Sequence, residues 1–212
     1  MIKMIAKYKV YISIFTVWLF NISGILGILS SQSEWFLSLT PLNLMLNLVF
    51  ILWNLDKINS RFFLAFSIPF FIGFLVEYLG VNYSLFFGTY VYGENLGYKI
   101  GGVPLMICVN WGVLTVITAD LAQIISKNTF VRFLLGGLLM MLLDIVIEIS
   151  APRFDFWEFE NGVVPLKNYI AWFVIAAIAH FFYNKFQIQS HKKVSIHILI
   201  AITVFFSTFL FF

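Results

Sequence analysis

Seven long apolar stretches fill most of this 212-residue chain, near residues 10–30, 41–56, 62–80, 104–125, 130–150, 167–184 and 194–212. A helix needs about 20 apolar residues to cross the hydrocarbon core of a bilayer. In lipid its backbone polar groups must be paired within the segment. The stretches therefore read as membrane-spanning helices, the second being the shortest. Composition removes the soluble alternative. Hydrophobic residues make up 61% of the chain and charged residues 11%, with a mean hydropathy of +0.96, whereas a soluble domain carries about a quarter charged residues. The expected fold class is all-α: a polytopic transmembrane bundle of about seven spans, forming a single domain over residues 1–212.

Charge placement orients the spans. Ten of the thirteen Lys and Arg fall in alternate connections: Lys3, Lys7 and Lys9; Lys57 and Arg61; Lys127 and Arg132; Lys185, Lys192 and Lys193. Only Lys99, Arg153 and Lys167 lie on the other side. Basic residues are retained in the cytoplasm, so the N-terminus is expected there, in an integral protein of a bacterial-type cytoplasmic (inner) membrane. The first stretch has the basic start and the small residues, Ser30 and Ser31, of a signal peptide, but its apolar core is long for that role. The net charge of +3 comes without a basic patch, so no nucleic-acid partner is expected. A single cysteine, Cys108, excludes a disulfide within the chain and a thiolate metal cluster. His180, His191 and His197 lack metal-ligand spacing. No phosphate-binding or dinucleotide loop, nucleophile elbow or His-Glu-x-x-His stands in the sequence, and no cofactor or metal is expected.

The two non-cytoplasmic connections, 81–103 and 151–166, are aromatic and amphipathic, and read as segments lying in the interface or folding back over the helices. They also expose an internal similarity. Glu77 near the end of one span and Glu148 near the end of another are each followed by an aromatic loop. Then come Val103-Pro104-Leu105 with Trp111 and Val164-Pro165-Leu166 with Trp172, the Pro-to-Trp step being seven residues in both. The reading is a parallel repeat with units of approximately 62–125 and 130–184. Against it, proline favours the first turn of any helix, and Thr40-Pro41-Leu42 opens another span.

Glu77, Asp144 and Glu148 lie inside apolar spans, where a charged side chain costs about 2.5–3.5 kcal/mol on insertion scales. Asp144 and Glu148 are four residues apart and share a helix face. Three carboxyls converging where water is scarce cannot all be ionised, and a neutral acid beside a carboxylate is the equipment of general acid–base chemistry. The plainer alternative is that they reach the interface or pair with Lys99 and Arg153. Asp120, at the opposite end of its span beside Gln123, reads as a solvated helix end. Asn110, Thr115 and Thr118 read as interhelical hydrogen-bonding groups. The 26 Phe and the 19% aromatic content exceed what interfacial belts need and point to a ring-lined interior.

At these residues the chain resembles the membrane carotenoid biosynthesis proteins of the carotenoid 1,2-hydratase type, the γ-carotene and bisanhydrobacterioruberin hydratases. The similarity runs through Glu77-x-x-Gly80, Phe87-Gly88-x-Tyr90-x-Tyr92, Leu96-Gly97-x-Lys99 and Gly102-Val103-Pro104 with Trp111. It continues with Asp144, Trp157 and Val164-Pro165-Leu166-x-Asn168 with Trp172, and covers roughly residues 60–185. The family tends to have Asp-Pro where this chain has Glu148-Ile149, and often Gly where it has Val164. The resemblance implies cofactor-independent addition of water to the terminal isoprenoid double bond of an acyclic carotenoid taken from the lipid. One of Glu77 and Asp144 would be the acid and the other would activate water, with Glu148 in support. Tyr90, Tyr92, Trp111, Trp157 and Trp172 would wall the pocket, where ring faces can stabilise a carbocation, and Asn168 would position water or a carboxyl. Membrane lipid and other carotenoid enzymes are the further expected partners. Three other readings stand beside it: a membrane carotenoid cyclase, a small transporter and a non-catalytic scaffold.

Overall fold

The computed structural model describes the backbone of residues 2–212 and the side chains from Tyr8 onward. Of the N-terminal basic residues, Lys3 and Lys7 have side chains outside the described residues. Helices occupy all seven apolar stretches, with one short helix added. In chain order they are α1 (Ile2–Ile28), α2 (Ser33–Ser38), α3 (Thr40–Trp53), α4 (Ser60–Tyr83), α5 (Leu105–Ile125), α6 (Thr129–Glu148), α7 (Leu166–Asn184) and α8 (Lys192–Thr208). Five of them, α1 and α4 to α7, are long and apolar enough to cross a membrane. Helix α3 has 14 residues and α8 has 17. At about 1.5 Å per residue both fall short of a hydrocarbon core about 30 Å thick, so five helices reach spanning length among the described residues, against the seven expected.

Sequence signals fix the helix ends. The Asn59 side chain accepts from the Phe62 amide at 3.0 Å and caps α4. The Asn128 side chain accepts from the Phe130 amide at 2.8 Å and caps α6. Each takes up an amide that the first helical turn leaves unpaired. Pro104 and Pro165 occupy the position before α5 and α7 in extended conformation. Helix α5 is the centre of the bundle and packs against α3, α4, α6, α7 and α8. Of its most apolar window 78% is buried, against 22–39% for the other four long helices. Those helices turn Phe15, Phe63, Phe71, Leu142 and Ile178 outward, surfaces that only lipid or another apolar partner would cover.

The aromatic connections contain strands, which the sequence reading did not anticipate: β1 (Tyr90–Tyr92), β2 (Lys99–Ile100), β3 (Val103–Pro104) and β4 (Trp157–Phe159). Strands β2 and β3 form a tight hairpin. Strands β1 and β4, from the two different connections, pair antiparallel with Tyr90 opposite Phe159, Val91 opposite Glu158 and Tyr92 opposite Trp157. The Gly93 amide donates to the Phe156 carbonyl at 2.9 Å. The Glu94 amide donates to Asp155 Oδ2 at 2.7 Å, and Asn95 Nδ2 donates to the Phe154 carbonyl at 2.9 Å. The two loops are thus stitched into one lid over α4 to α7.

At the other end of α5, Asp120 is not solvated: it is 2% exposed. The segment leading into α8 folds over it. Ser190 Oγ donates to its oxygens at 2.6 and 2.7 Å, and Ser195 Oγ at 2.5 Å. Thr118 does bond across helices, to His180 Nε2 at 2.8 Å. Thr115 donates to the Trp111 carbonyl of its own helix and contacts Met140 Sδ on α6.

Candidate functional site

Glu77, about two turns along α4 from Pro69 and nearly two turns before its end, projects under the lid and is 3% exposed. Three donors converge on it. Tyr90 Oη and Tyr92 Oη donate to Oε2 at 2.5 and 2.7 Å, and Trp111 Nε1 donates to Oε1 at 3.1 Å. Two glycines make room for this. A Cβ at Gly80, one turn on from Glu77, would lie 2.6 Å from Tyr90 Oη. A Cβ at Gly73, one turn back, would lie 2.5 Å from the Trp111 ring. The Glu-x-x-Gly spacing thus has a mechanical meaning: a side chain in place of Gly80 would push the phenol away from the carboxyl. Burial first, and then the Glu77 carboxyl, hold the Tyr90 and Tyr92 phenols above their ordinary range, so both remain O–H donors at any physiological pH.

The second half of the site comes from α6 and α7. Asp144 and Glu148 are 3% and 5% exposed. Asn168 Nδ2 donates to Asp144 Oδ2 at 3.0 Å and to Glu148 Oε1 at 3.2 Å, tying the two carboxyls together. Trp157 Nε1, from β4, donates to Glu148 Oε2 at 2.9 Å. Glu77 therefore accepts three hydrogen bonds, Glu148 two and Asp144 one.

No cation compensates them among the described residues. The ion pair found there, Lys99 with Glu94 at 2.8 Å, is elsewhere on the lid, and Lys99 also donates to the Tyr92 carbonyl. Arg153 donates to the Phe209 carbonyl at 2.9 Å and lies over the Phe154 and Phe209 rings. The pairing of the carboxyls with Lys99 or Arg153 that the sequence left open is not the arrangement observed.

The carboxyls border one cavity, and each residue singled out in the sequence lines it: Glu77, Asp144 and Glu148 with Tyr90, Tyr92, Trp111, Trp157, Asn168 and Trp172. Its walls are rings. Trp111 and Trp172 stack face to face, centroids 4.4 Å apart and planes 6° from parallel, and Tyr90 sits 5.2 Å from Phe159. The cavity measures about 30 Å³, on the scale of ordered water rather than a long chain. Asn110, which sequence reasoning set down as a helix–helix hydrogen-bonding group, borders this cavity instead. Its place opposite the carboxyls depends on the rotation of α5, and no local pattern announces that.

Chemically the arrangement offers two neighbouring buried carboxyls bridged by one amide, a third carboxyl surrounded by donors, and aromatic faces around the space between them. A family model described as "Carotenoid biosynthesis protein" matches residues 39–212. No curated protein and no solved structure matches.

Proposed function

The chain belongs to the carotenoid biosynthesis protein family, and from that premise we propose that it hydrates the terminal isoprenoid double bond of an acyclic carotenoid end, using the carboxyl cluster and no cofactor. The observation that carries the reading is three buried carboxyls around one ring-walled cavity, with no ion-pair partner among the described residues. An unactivated alkene needs a poorly solvated acid. Asp144 has the fewest hydrogen-bond donors and is coupled to Glu148 through Asn168, so the transferable proton is assigned to that pair. It passes to the less substituted alkene carbon and leaves a tertiary carbocation. The stacked Trp111 and Trp172 and the Tyr90 ring lie where a cation gains from aromatic faces. Glu77, held by three donors, stands as the carboxylate of the site. It stabilises the cation and takes the proton released when water forms the C–O bond. Alkene and water are consumed, a tertiary alcohol is made, and the cluster regains its proton.

The two-fold character of the framework supports a duplicated origin. Strands β1 and β4 pair with Tyr90 opposite Phe159 and Tyr92 opposite Trp157, Trp111 stacks on Trp172, and Glu77 and Glu148 hold corresponding places in the two sequence units. The halves differ where the chemistry is asymmetric. Four residues before Glu77 stands Gly73, where the other half has Asp144. Three after Pro104 stands Ile107, where the other half has Asn168. The second half supplies the acid and the first half the fully bonded carboxylate.

The test is expression beside a pathway that makes acyclic or half-cyclised carotenoids, with pigments separated by chromatography and weighed. Hydration gives a product heavier by one water, whereas cyclisation conserves mass and a scaffold leaves the pigments unchanged. Asp144→Asn and Glu77→Gln should each lower product by about a hundredfold or more, as expected for loss of a general acid or base. Unchanged product in both variants removes the assigned roles.

A further inference from the structure

Beside the carboxyl cavity lies a second chamber of about 80 Å³, bounded by α1, α3, α5 and α8. The two share Ile107, Asn110, Leu114, Ile147 and Trp157 as common walls. In a chain this apolar the second chamber is unexpectedly rich in amides: Asn21, Asn43, Asn47 and Asn110 all border it. Asn21 Nδ2 is bonded to the Val17 carbonyl at 2.8 Å. Asn47 is different. Its residue is 2% exposed, and its Nδ2 is a buried donor with no hydrogen-bond partner in the protein. A buried donor without a partner costs about 1–3 kcal/mol, and four amides around a space of this size are what ordered water requires.

We propose that this chamber holds the water that the reaction consumes, with Asn47 and Asn110 as the residues that fix it and hand it to the carboxyl cavity. The inference rests on the hydration reading. Asparagine suits the task because it donates and accepts without titrating, so it stores water without placing another base near the carbocation. Asn110 borders both spaces, and Trp157, whose indole holds Glu148, forms the partition. The water supply then decides the fate of the cation. With water at hand a C–O bond forms and a proton leaves to Glu77. Without it, the cation loses a proton from an adjacent carbon to a carboxylate, or is captured by an internal alkene, and mass is conserved in either case. The asparagines are specificity-determining for hydration and are not needed for the initial protonation.

The experiment is Asn47→Leu against Asn47→Ser in the pigment-producing host. Leucine keeps the volume and removes the amide; serine keeps a hydroxyl and leaves room for one more water. The expected result is about a tenfold fall in hydrated product for Asn47→Leu, on the scale of a lost buried hydrogen bond, with double-bond-shifted or cyclised products of unchanged mass rising in its place. Asn47→Ser should hydrate within about twofold of wild type. Wild-type hydration by Asn47→Leu overturns the proposal. If the leucine variant converts nothing, X-ray radiolytic labelling of the wild-type protein decides, because hydroxyl radicals form from bound water. Phe156 is 4% exposed and lines the chamber, so strong labelling there supports stored water and absence of labelling overturns it. A wild-type protein that hydrates no carotenoid defeats the reading of function, while the labelling result still stands for the chamber.

Discussion

The two ends of α5 face buried carboxyls under opposite conditions. Toward its C-terminus, Asp120 is sealed by the segment before α8, and its oxygens are taken up by the hydroxyls of Ser190 and Ser195. Toward its N-terminus, Glu77, Asp144 and Glu148 surround a cavity, and Asp144 has a single amide donor. Both places are buried, and neither holds an ion pair among the described residues. Burial of a carboxyl therefore does not mark a site. What separates them is the balance of partners. One acid met by three hydroxyl contacts is a structural tie between α5 and α8. Three acids that share six hydrogen bonds unequally, Asp144 holding only one, around an open space keep chemistry in reserve.

The sharpest way to break the comparison is to neutralise the acid at each end. Asp144→Asn is expected to abolish hydrated product to below about a hundredth of wild type, whereas Asp120→Asn should leave turnover per folded molecule within about threefold. Loss of activity in both, at equal amounts of folded protein, would erase the distinction. Next in size is Gly80→Ala. The added methyl meets Tyr90 Oη at 2.6 Å, so the phenol must leave Glu77, and product should fall about tenfold for the lost hydrogen bond to a charged group. Tyr90→Phe should match it, since both changes break the same bond, and a divergence between the two would show that the glycine serves something else. The smallest effect on chemistry and the clearest on stability belongs to Asp120→Ala. Removing the acceptor strands the buried Ser195 hydroxyl and the half-buried Ser190 hydroxyl and should cost about 1–3 kcal/mol, read as a lower thermal midpoint in detergent with product per folded molecule unchanged.

The same contrast shows how far the sequence could be read. Apolar length placed the helices, since a run of some twenty apolar residues has few other destinations. Helices α3 and α8 are shorter than their apolar stretches, because apolar residues stand beyond the helix ends, Leu55 after α3 and Phe209 to Phe212 after α8. Glu77, Asp144 and Glu148 stood out because each is anomalous in its own helix. Asp120 reads from sequence as a solvated helix end, because the residues that enclose it stand 70 and 75 positions away and no local pattern carries that. Strands β1 and β4 were hidden for a related reason. Each is three residues long, too short for alternation to register, and each exists because the other loop supplies its partner. Asn47 and Asn110 are invisible as a pair until α3 and α5 are set side by side.

The central claim is that the carboxyl cluster gives a proton to a carbon atom. Running the conversion in deuterated water measures that step directly. Protonation of the terminal alkene predicts a product with a single carbon-bound, non-exchangeable deuterium next to the new tertiary alcohol, seen as a mass increment that survives washing in ordinary water and that disappears with the product in Asp144→Asn. A hydrated product made in deuterated water with no deuterium on carbon would contradict the account.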